Sequence, residues 1–179
     1  MDLFEAIAKR HSYRGPFAEQ AVSRDDLVRI VSTAIQAPSG KNAQTTQFII
    51  VDDQVVIEKI KQIPSQNRAV VEASAYIVCL INSQPKAVYE GYNFELEDCA
   101  AAVENMLLAI TALGYASVWI DGWLRVEGRA QKLKTILGLP DEKKAQILLP
   151  IGKPLESWEP KEKLPFEQRV SFNGYESAQ

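Results

Sequence analysis

Histidine and cysteine are scarce in this chain. One histidine, His11, and two cysteines, Cys79 and Cys99, stand among 179 residues. A single imidazole excludes a histidine-rich metal site. Two thiols are too few for a disulfide scaffold or for a cysteine-built zinc or iron–sulfur centre. Both cysteines sit in apolar stretches and read as buried, reduced thiols. A Ser-His-Asp hydrolase has only His11 to draw on, and no Gly-x-Ser-x-Gly elbow accompanies it. Neither Gly-x-Gly-x-x-Gly nor Gly-x-x-x-x-Gly-Lys-Ser/Thr occurs, so no Rossmann fingerprint and no P-loop is present. No apolar run approaches the ~20 residues of a membrane span. The opening Met1-Asp2-Leu3-Phe4-Glu5 lacks the basic and apolar regions of a secretory signal. The expectation is a cytoplasmic protein with no membrane partner. A basic excess is absent too: 20 Lys and Arg against 23 Asp and Glu give a net charge of −3. This argues against a nucleic-acid binder and leaves room only for a local basic pocket.

What is present is ordinary globular composition, 46% hydrophobic and 24% charged, in a length that suits one domain. Asp2 caps a short helix with Leu3, Phe4, Ile7 and Ala8 as its apolar face, running into Arg10-His11-Ser12-Tyr13-Arg14 and stopping before Gly15-Pro16. Ser23 with Asp26 resembles a capping box. The helix it opens carries Leu27, Ile30, Val31 and Ala34 at helical spacing and breaks at Ala37-Pro38-Ser39-Gly40. Strands are expected at 47–51, 75–81, 116–120 and 146–151, and helices at 54–62, 97–113 and about 127–137. The 97–113 helix is apolar over most of its surface and should be central, with Gly114 closing it. Residues 82–96 read as an exposed excursion. Pro154, Pro160 and Pro165 break the pattern of the last stretch until 168–172, which alternates like a strand. Trp158, Phe166, Phe172 and Tyr175 make this tail look like an arm laid on another surface, since disordered tails are poor in aromatics. Helices of unequal length between the strands indicate a mixed α/β architecture on one sheet.

Three places suit chemistry, and each has a plainer reading. Arg10, Arg14, Lys161 and Lys163, with Ser12, suit a phosphate. They equally suit a helix carbonyl end and solvated lysines, and on spacing alone that reading is the stronger. Pro38-Ser39-Gly40-Lys41-Asn42-Ala43-Gln44 lets backbone approach a flat ligand, or is a surface connection. Trp119-Ile120-Asp121-Gly122-Trp123 follows a strand, a common ligand position, or is a plain turn with two packing aromatics.

Taken in order, these segments resemble the FMN-dependent nitroreductase family over essentially the whole chain. The resemblance rests on the 10–14 and 37–44 segments, on Glu104-Asn105-Met106-Leu107-Leu108-Ala109 with Ala112-Leu113-Gly114-Tyr115, on Val118-Trp119-Ile120-Asp121-Gly122, and on Pro150-Ile151-Gly152-Lys153-Pro154 followed by Lys161-Glu162-Lys163-Leu164-Pro165. It implies an α+β fold, a three-layer α/β/α sandwich with a mostly antiparallel central sheet. It also implies an intertwined homodimer with two FMN molecules at the interface. Residues 1–152 would form the FMN-binding body and 153–179 an arm that wraps the partner. Arg10, His11, Ser12 and Arg14 would hold the phosphate and ribityl chain with Lys161 and Lys163. Pro38, Ser39, Gly40 and Asn42 would line the flavin from the partner subunit. Ile120, Asp121 and Gly122 would lie along the ring, with a backbone N–H near N5, and Gln66 or Asn67 would reach the pyrimidine edge. Tyr89, Tyr92 and Phe94 are slot walls by position or ordinary packing of the excursion. The family departs from this chain at Thr45, where a large residue is common, at Lys163, often Arg, and at Ala69–Val70, basic in some members; Arg68 is a candidate replacement donor.

The implied activity is NAD(P)H-dependent reduction of a nitroaromatic, quinone or related small acceptor by ping-pong hydride transfer through flavin N5. The chemistry is carried by FMN, and the protein supplies binding and tuning. Two other readings share the fold: a dedicated reaction such as dehalogenation or flavin cleavage, and a flavin-binding protein without nicotinamide turnover.

Overall fold

The computed structural model describes residues 1–175. Its centre is a four-stranded sheet, in spatial order β1-β2-β4-β3, with every neighbouring pair antiparallel. The strands are β1 (Gln47–Val51), β2 (Ala75–Asn82), β3 (Ala116–Ser117) and β4 (Lys143–Gly152). β2 is buried from Ala75 to Ile81 because helices cover both of its faces. Side chains alternate across a strand. Ala75, Ile77, Cys79 and Ile81 therefore meet α2 (Arg24–Ile35) and α5 (Glu95–Ala112), while Tyr76, Val78 and Leu80 meet α3 (Gln54–Lys61), α4 (Arg68–Glu72) and α6 (Arg129–Leu137). These are the three layers expected from the sequence. α1 (Leu3–Lys9) lies against α5. No helix of the described residues is long and apolar enough to cross a membrane.

The helix starts follow local chemistry. Asp2, Ser23 and Asp53 each accept a hydrogen bond from a first-turn N–H, satisfying donors that the helix leaves unpaired. Gly138 takes φ 63° to close α6. α5 opens with Glu95, Glu97 and Asp98 in its first turn, where the helix dipole favours negative charge. Glu95 is buried and accepts from both the backbone and the side-chain amide of Asn82, and Lys143 donates to Asn82 Oδ1 at 2.7 Å. This chain of polar contacts pins the end of β2 to the start of α5.

Several expectations need correction. Residues 168–172 form no strand. Phe166–Gln168 is one 3₁₀ turn, and among the described residues no strand of the sheet forms a ladder with this stretch. The third strand stops at Ser117, and Ile120 rejoins the sheet only through a single antiparallel bridge to Leu148. α6 begins at Arg129, later than expected, because Gly128 at φ 64° still belongs to the preceding turn. α4, unforeseen in the sequence, is a five-residue helix capped by Asn67. The apolar face of α1 is uncovered: Leu3, Phe4 and Ile7 are exposed and only Ala6 is buried.

Gly152 ends β4 where Phe17 crosses it. A Cβ there would lie 2.6 Å from Phe17 Cδ1. Gly152→Ala should lower stability by about 1–3 kcal/mol, the usual cost of overpacking a filled core. Urea unfolding with an unchanged slope would report it as a lower midpoint.

Candidate cofactor site

The segment after α1 is extended rather than helical. Arg10 sits at ψ 124°, and Tyr13 N–H donates to Ser117 O at 3.0 Å, laying the segment beside β3. Extension makes side chains alternate. Tyr13 is buried, while Ser12 and Arg14 on either side of it are exposed. Tyr13 then organises the returning chain end. Its hydroxyl donates to Pro16 O at 2.7 Å and accepts from Glu156 N–H at 3.4 Å. Its ring meets Phe17 at 5.2 Å and Trp158 edge-on at 6.2 Å. Lys153 and Leu155 pair with the 16–18 backbone. Trp158, read in the sequence as part of an arm for another surface, thus packs on its own chain.

This packing brings the two ends of the sequence together. Arg10, His11, Ser12, Arg14, Lys161 and Lys163 line one cavity of about 380 Å³ with Trp158, Glu159 and Pro160. A second cavity of about 340 Å³ shares Arg10, His11 and Trp158 and is otherwise mostly apolar. Arg10 is held by Glu104 of α5 at 3.3 Å, leaving its side chain 24% exposed. Glu104 stood in a motif segment without a role, because no spacing rule connects a helix residue to a cation so far back in sequence. His11 Nδ1 lies 2.8 Å from Lys9 O and must donate to that carbonyl. Its Nε2 is buried with no partner, and so is Ser117 Oγ at the wall of the second cavity. A cavity with four cationic side chains, an exposed hydroxyl and an orphaned imidazole nitrogen fits a phosphate ester better than any neutral ligand.

The remaining candidates form two further groups. Arg129 ties the first together: it donates to Pro64 O at 3.0 Å and to Trp123 O at 3.5 Å, with its guanidinium over the Trp123 ring. The 64–67 segment and the turn after Ile120 are thereby neighbours. Within this group Asn67 is committed, since its Oδ1 accepts from Ala69 N–H to cap α4, whereas Gln66 is exposed. Ile120 is buried and its N–H is taken by Leu148 O. Asp121 is in a two-pronged ion pair with Arg125 at 2.8 and 2.6 Å, which raises the guanidinium pKa further. Gly122 is exposed with open space where a Cβ would stand. Arg68, the suggested replacement donor, is bound to Glu72 at 2.6 Å.

The second group is the 38–44 loop with the excursion. Pro38 and Ser39 line a smaller cavity with Thr45, Thr46 and Asp98, not the cationic one. Lys41, Asn42 and Gln44 all have positive φ (51°, 54° and 51°), although none is glycine. Each such residue costs on the order of 1 kcal/mol and persists only where its surroundings enforce it. Phe94 packs on Gly40, and Lys41 Nζ sits 4.6 Å from the Tyr89 ring centre. Tyr92 pairs with Tyr89 in a short antiparallel bridge and is 68% exposed. Tyr89 and Phe94 thus adjoin the loop, while Tyr92 points away from the core. Among the described residues no cluster of His, Cys, Asp and Glu suits a metal ion.

Comparison with known proteins bears on this arrangement. The Nitroreductase family profile matches residues 7–153. A protein of Archaeoglobus fulgidus, named provisionally as an NADH dehydrogenase/NAD(P)H nitroreductase, is 32% identical over 153 residues, 86% of each chain. A crystal structure of a nitroreductase family protein from Clostridium novyi NT superposes with a TM-score of 0.73 at 31% identity, covering 86% of each chain. An FMN-dependent nitroreductase from Clostridium difficile R20291 shares the fold at a TM-score of 0.79 and 23% identity, over 96% of this chain and 99% of that one. With a family match spanning most of its length and a three-layer fold to go with it, this chain belongs to the nitroreductase family.

Proposed function

We propose that the protein is an FMN-dependent oxidoreductase that takes hydride from NADH or NADPH and reduces a small acceptor such as a nitroaromatic or a quinone. The observation that carries this reading is the single cavity lined by Arg10, Ser12, Arg14, Lys161 and Lys163. Two arginines and two lysines, less the charges of Glu104 on Arg10 and of Glu159 in the lining, leave a net +2 to balance a dianionic phosphate, and the Ser12 hydroxyl supplies a further donor. His11 lines the same cavity, and its Nε2 is buried without a partner, a cost that a hydrogen-bonding ligand would relieve. Bound FMN supplies the two-electron chemistry; the chain supplies position and polarity.

The side chains divide the remaining work. Gln66 is the free amide for the pyrimidine edge, because Asn67 is spent on its helix cap. Ile120 has given its N–H to the sheet, so a backbone donor beside the ring nitrogen falls to Asp121 or Gly122. Pro38, Ser39, Gly40 and Asn42 lie apart from the cations of their own chain and serve the partner's site. Tyr89 and Phe94 border that loop, and with Tyr92, bridged to Tyr89, they wall the acceptor slot.

A homodimer completes the reading. Leu3, Phe4 and Ile7 of α1 and Leu164, Phe166, Phe172 and Tyr175 of the tail are exposed in one chain, more large apolar surface than a monomer leaves uncovered. In this arrangement 1–152 is the body and the 153–179 segment, anchored on its own chain as far as Trp158, reaches the partner beyond it. The last four residues of that arm lie outside the described residues.

Anaerobic mixing of the purified yellow protein with NADH and NADPH in turn tests the activity. Loss of the flavin's visible absorbance, restored by a nitroaromatic or quinone, is the expected result. A yellow protein that neither nicotinamide bleaches would leave a flavin-binding role; bleaching with destruction of FMN itself would indicate flavin cleavage. A colourless monomer that takes up no FMN would overturn the assignment.

A further inference from the structure

We propose that Asp98 is a positioning residue that locks the 38–44 loop into its flavin-lining shape; the inference rests on the flavin reading above. Asp98 is not among the residues that line the cationic cavity; it lines the smaller one with Pro38 and Ser39. It is 8% exposed, in the first turn of α5. Its Oδ1 accepts the N–H of Gly40 at 2.8 Å. One turn earlier, Phe94 closes on the same residue: a Cβ on Gly40 would lie 2.4 Å from Phe94 Cδ2. A single helix start therefore holds Gly40 by a charge-assisted hydrogen bond on one side and an aromatic ring on the other.

The residues that follow need such a grip. Lys41, Asn42 and Gln44 occupy the left-handed region without being glycine. Their local bonds close within the loop itself: Asn42 N–H to Ser39 O at 2.9 Å, Ala43 N–H to Gly40 O at 3.0 Å, and the exposed pair of Gln44 N–H to Ser39 Oγ at 3.1 Å and Gln44 Nε2 to Asn42 O at 3.4 Å. Exposed bonds of that kind compete with water and add little. The part-buried bond from Asp98 ties the loop to a helix outside it, which none of these does. It places Ser39 and Gly40, and through them the side chain of Asn42. Because Phe94 is also a slot wall, the same helix start ties the acceptor slot to the flavin-lining loop.

Two variants of the full chain test this. Asp98→Ala removes the acceptor; Asp98→Asn keeps an oxygen for the Gly40 N–H. FMN affinity is read by fluorescence titration, and the environment of the ring by the visible spectrum of bound flavin, which a general loss of stability does not move. Asp98→Ala should bind FMN roughly tenfold more weakly, the effect of one lost hydrogen bond to a charged group, with a shifted bound-flavin spectrum. Asp98→Asn should stay within about threefold of the parent with the parent's spectrum. An alanine variant with parental affinity and spectrum overturns the proposal, as does an asparagine variant as impaired as the alanine one. If the parent itself binds no FMN, the flavin reading fails instead, and the two failures are told apart by that control.

Discussion

Replacing Arg10 with alanine should weaken FMN binding by about 1.5–3 kcal/mol, the scale of a hydrogen bond to a charged group, which is roughly ten- to 150-fold in Kd. The loss should fall on affinity and leave the fold intact. Glu104, the partner of Arg10, is about half exposed and can turn to water when the guanidinium is gone. Fluorescence titration of the apoprotein gives the affinity, and a urea midpoint close to the parent's separates it from unfolding. Unchanged FMN affinity would remove Arg10 from the phosphate site. Hybrid dimers sharpen the result. In a dimer pairing an Arg10→Ala chain with an Asp98→Ala chain, a site built from cations of one protomer and the 38–44 loop of its partner leaves one site of parental affinity per dimer. A site built within one chain leaves none.

The second large effect concerns the tail. Removal of residues 161–179 should convert the proposed dimer into a monomer and abolish tight FMN binding together, since it takes both Lys161 and Lys163 and the exposed Leu164, Phe166 and Phe172. Burying each of these apolar side chains on a partner is worth about 1.5–3 kcal/mol, so the dimer Kd should rise a hundredfold or more. Cutting earlier, after Gly152, should do something different. It also strips Trp158 and the backbone pairs to Pro16 and Ala18, uncovering Tyr13 and lowering the stability of the body itself. Light scattering and thermal unfolding of the two truncations distinguish these outcomes. A chain lacking 161–179 that stays dimeric with full cofactor would count against an arm that crosses to the partner.

Much of the scaffold was legible because its signals are local. Asp2, Ser23 and the 27/30/31/34 stripe announce α1 and α2. The apolar runs at 47–51 and 75–81 announce β1 and β2, since a strand covered on both faces needs no alternation to betray it. α4 escaped notice because five residues carry no helical period; only Asn67 before Arg68 hinted at a cap. The alternation at 168–172 misled because a strand needs a ladder as well as a pattern, and among the described residues the sheet consists of β1, β2, β4 and β3 alone. In the site, the residue types and the grouping of the 10–14 cations with Lys161 and Lys163 were legible, and the contacts that commit individual side chains were not. Nothing in the spacing distinguishes Asn67, spent as a cap, from Gln66, left free, or marks Glu104 and Asp98 among the other carboxylates. Those assignments depend on which surfaces the sheet order brings face to face.

The meeting of the two chain ends at Tyr13 bears on biosynthesis. The arginines of the cationic cavity come from residues 10–14 and its lysines from residues 161–163, so a nascent chain stalled before Lys161 holds arginines with no lysines opposite them. Any capture of an anion in this cavity would wait until residues 161–163 are made, and a product truncated before them would lack half of the cationic cluster.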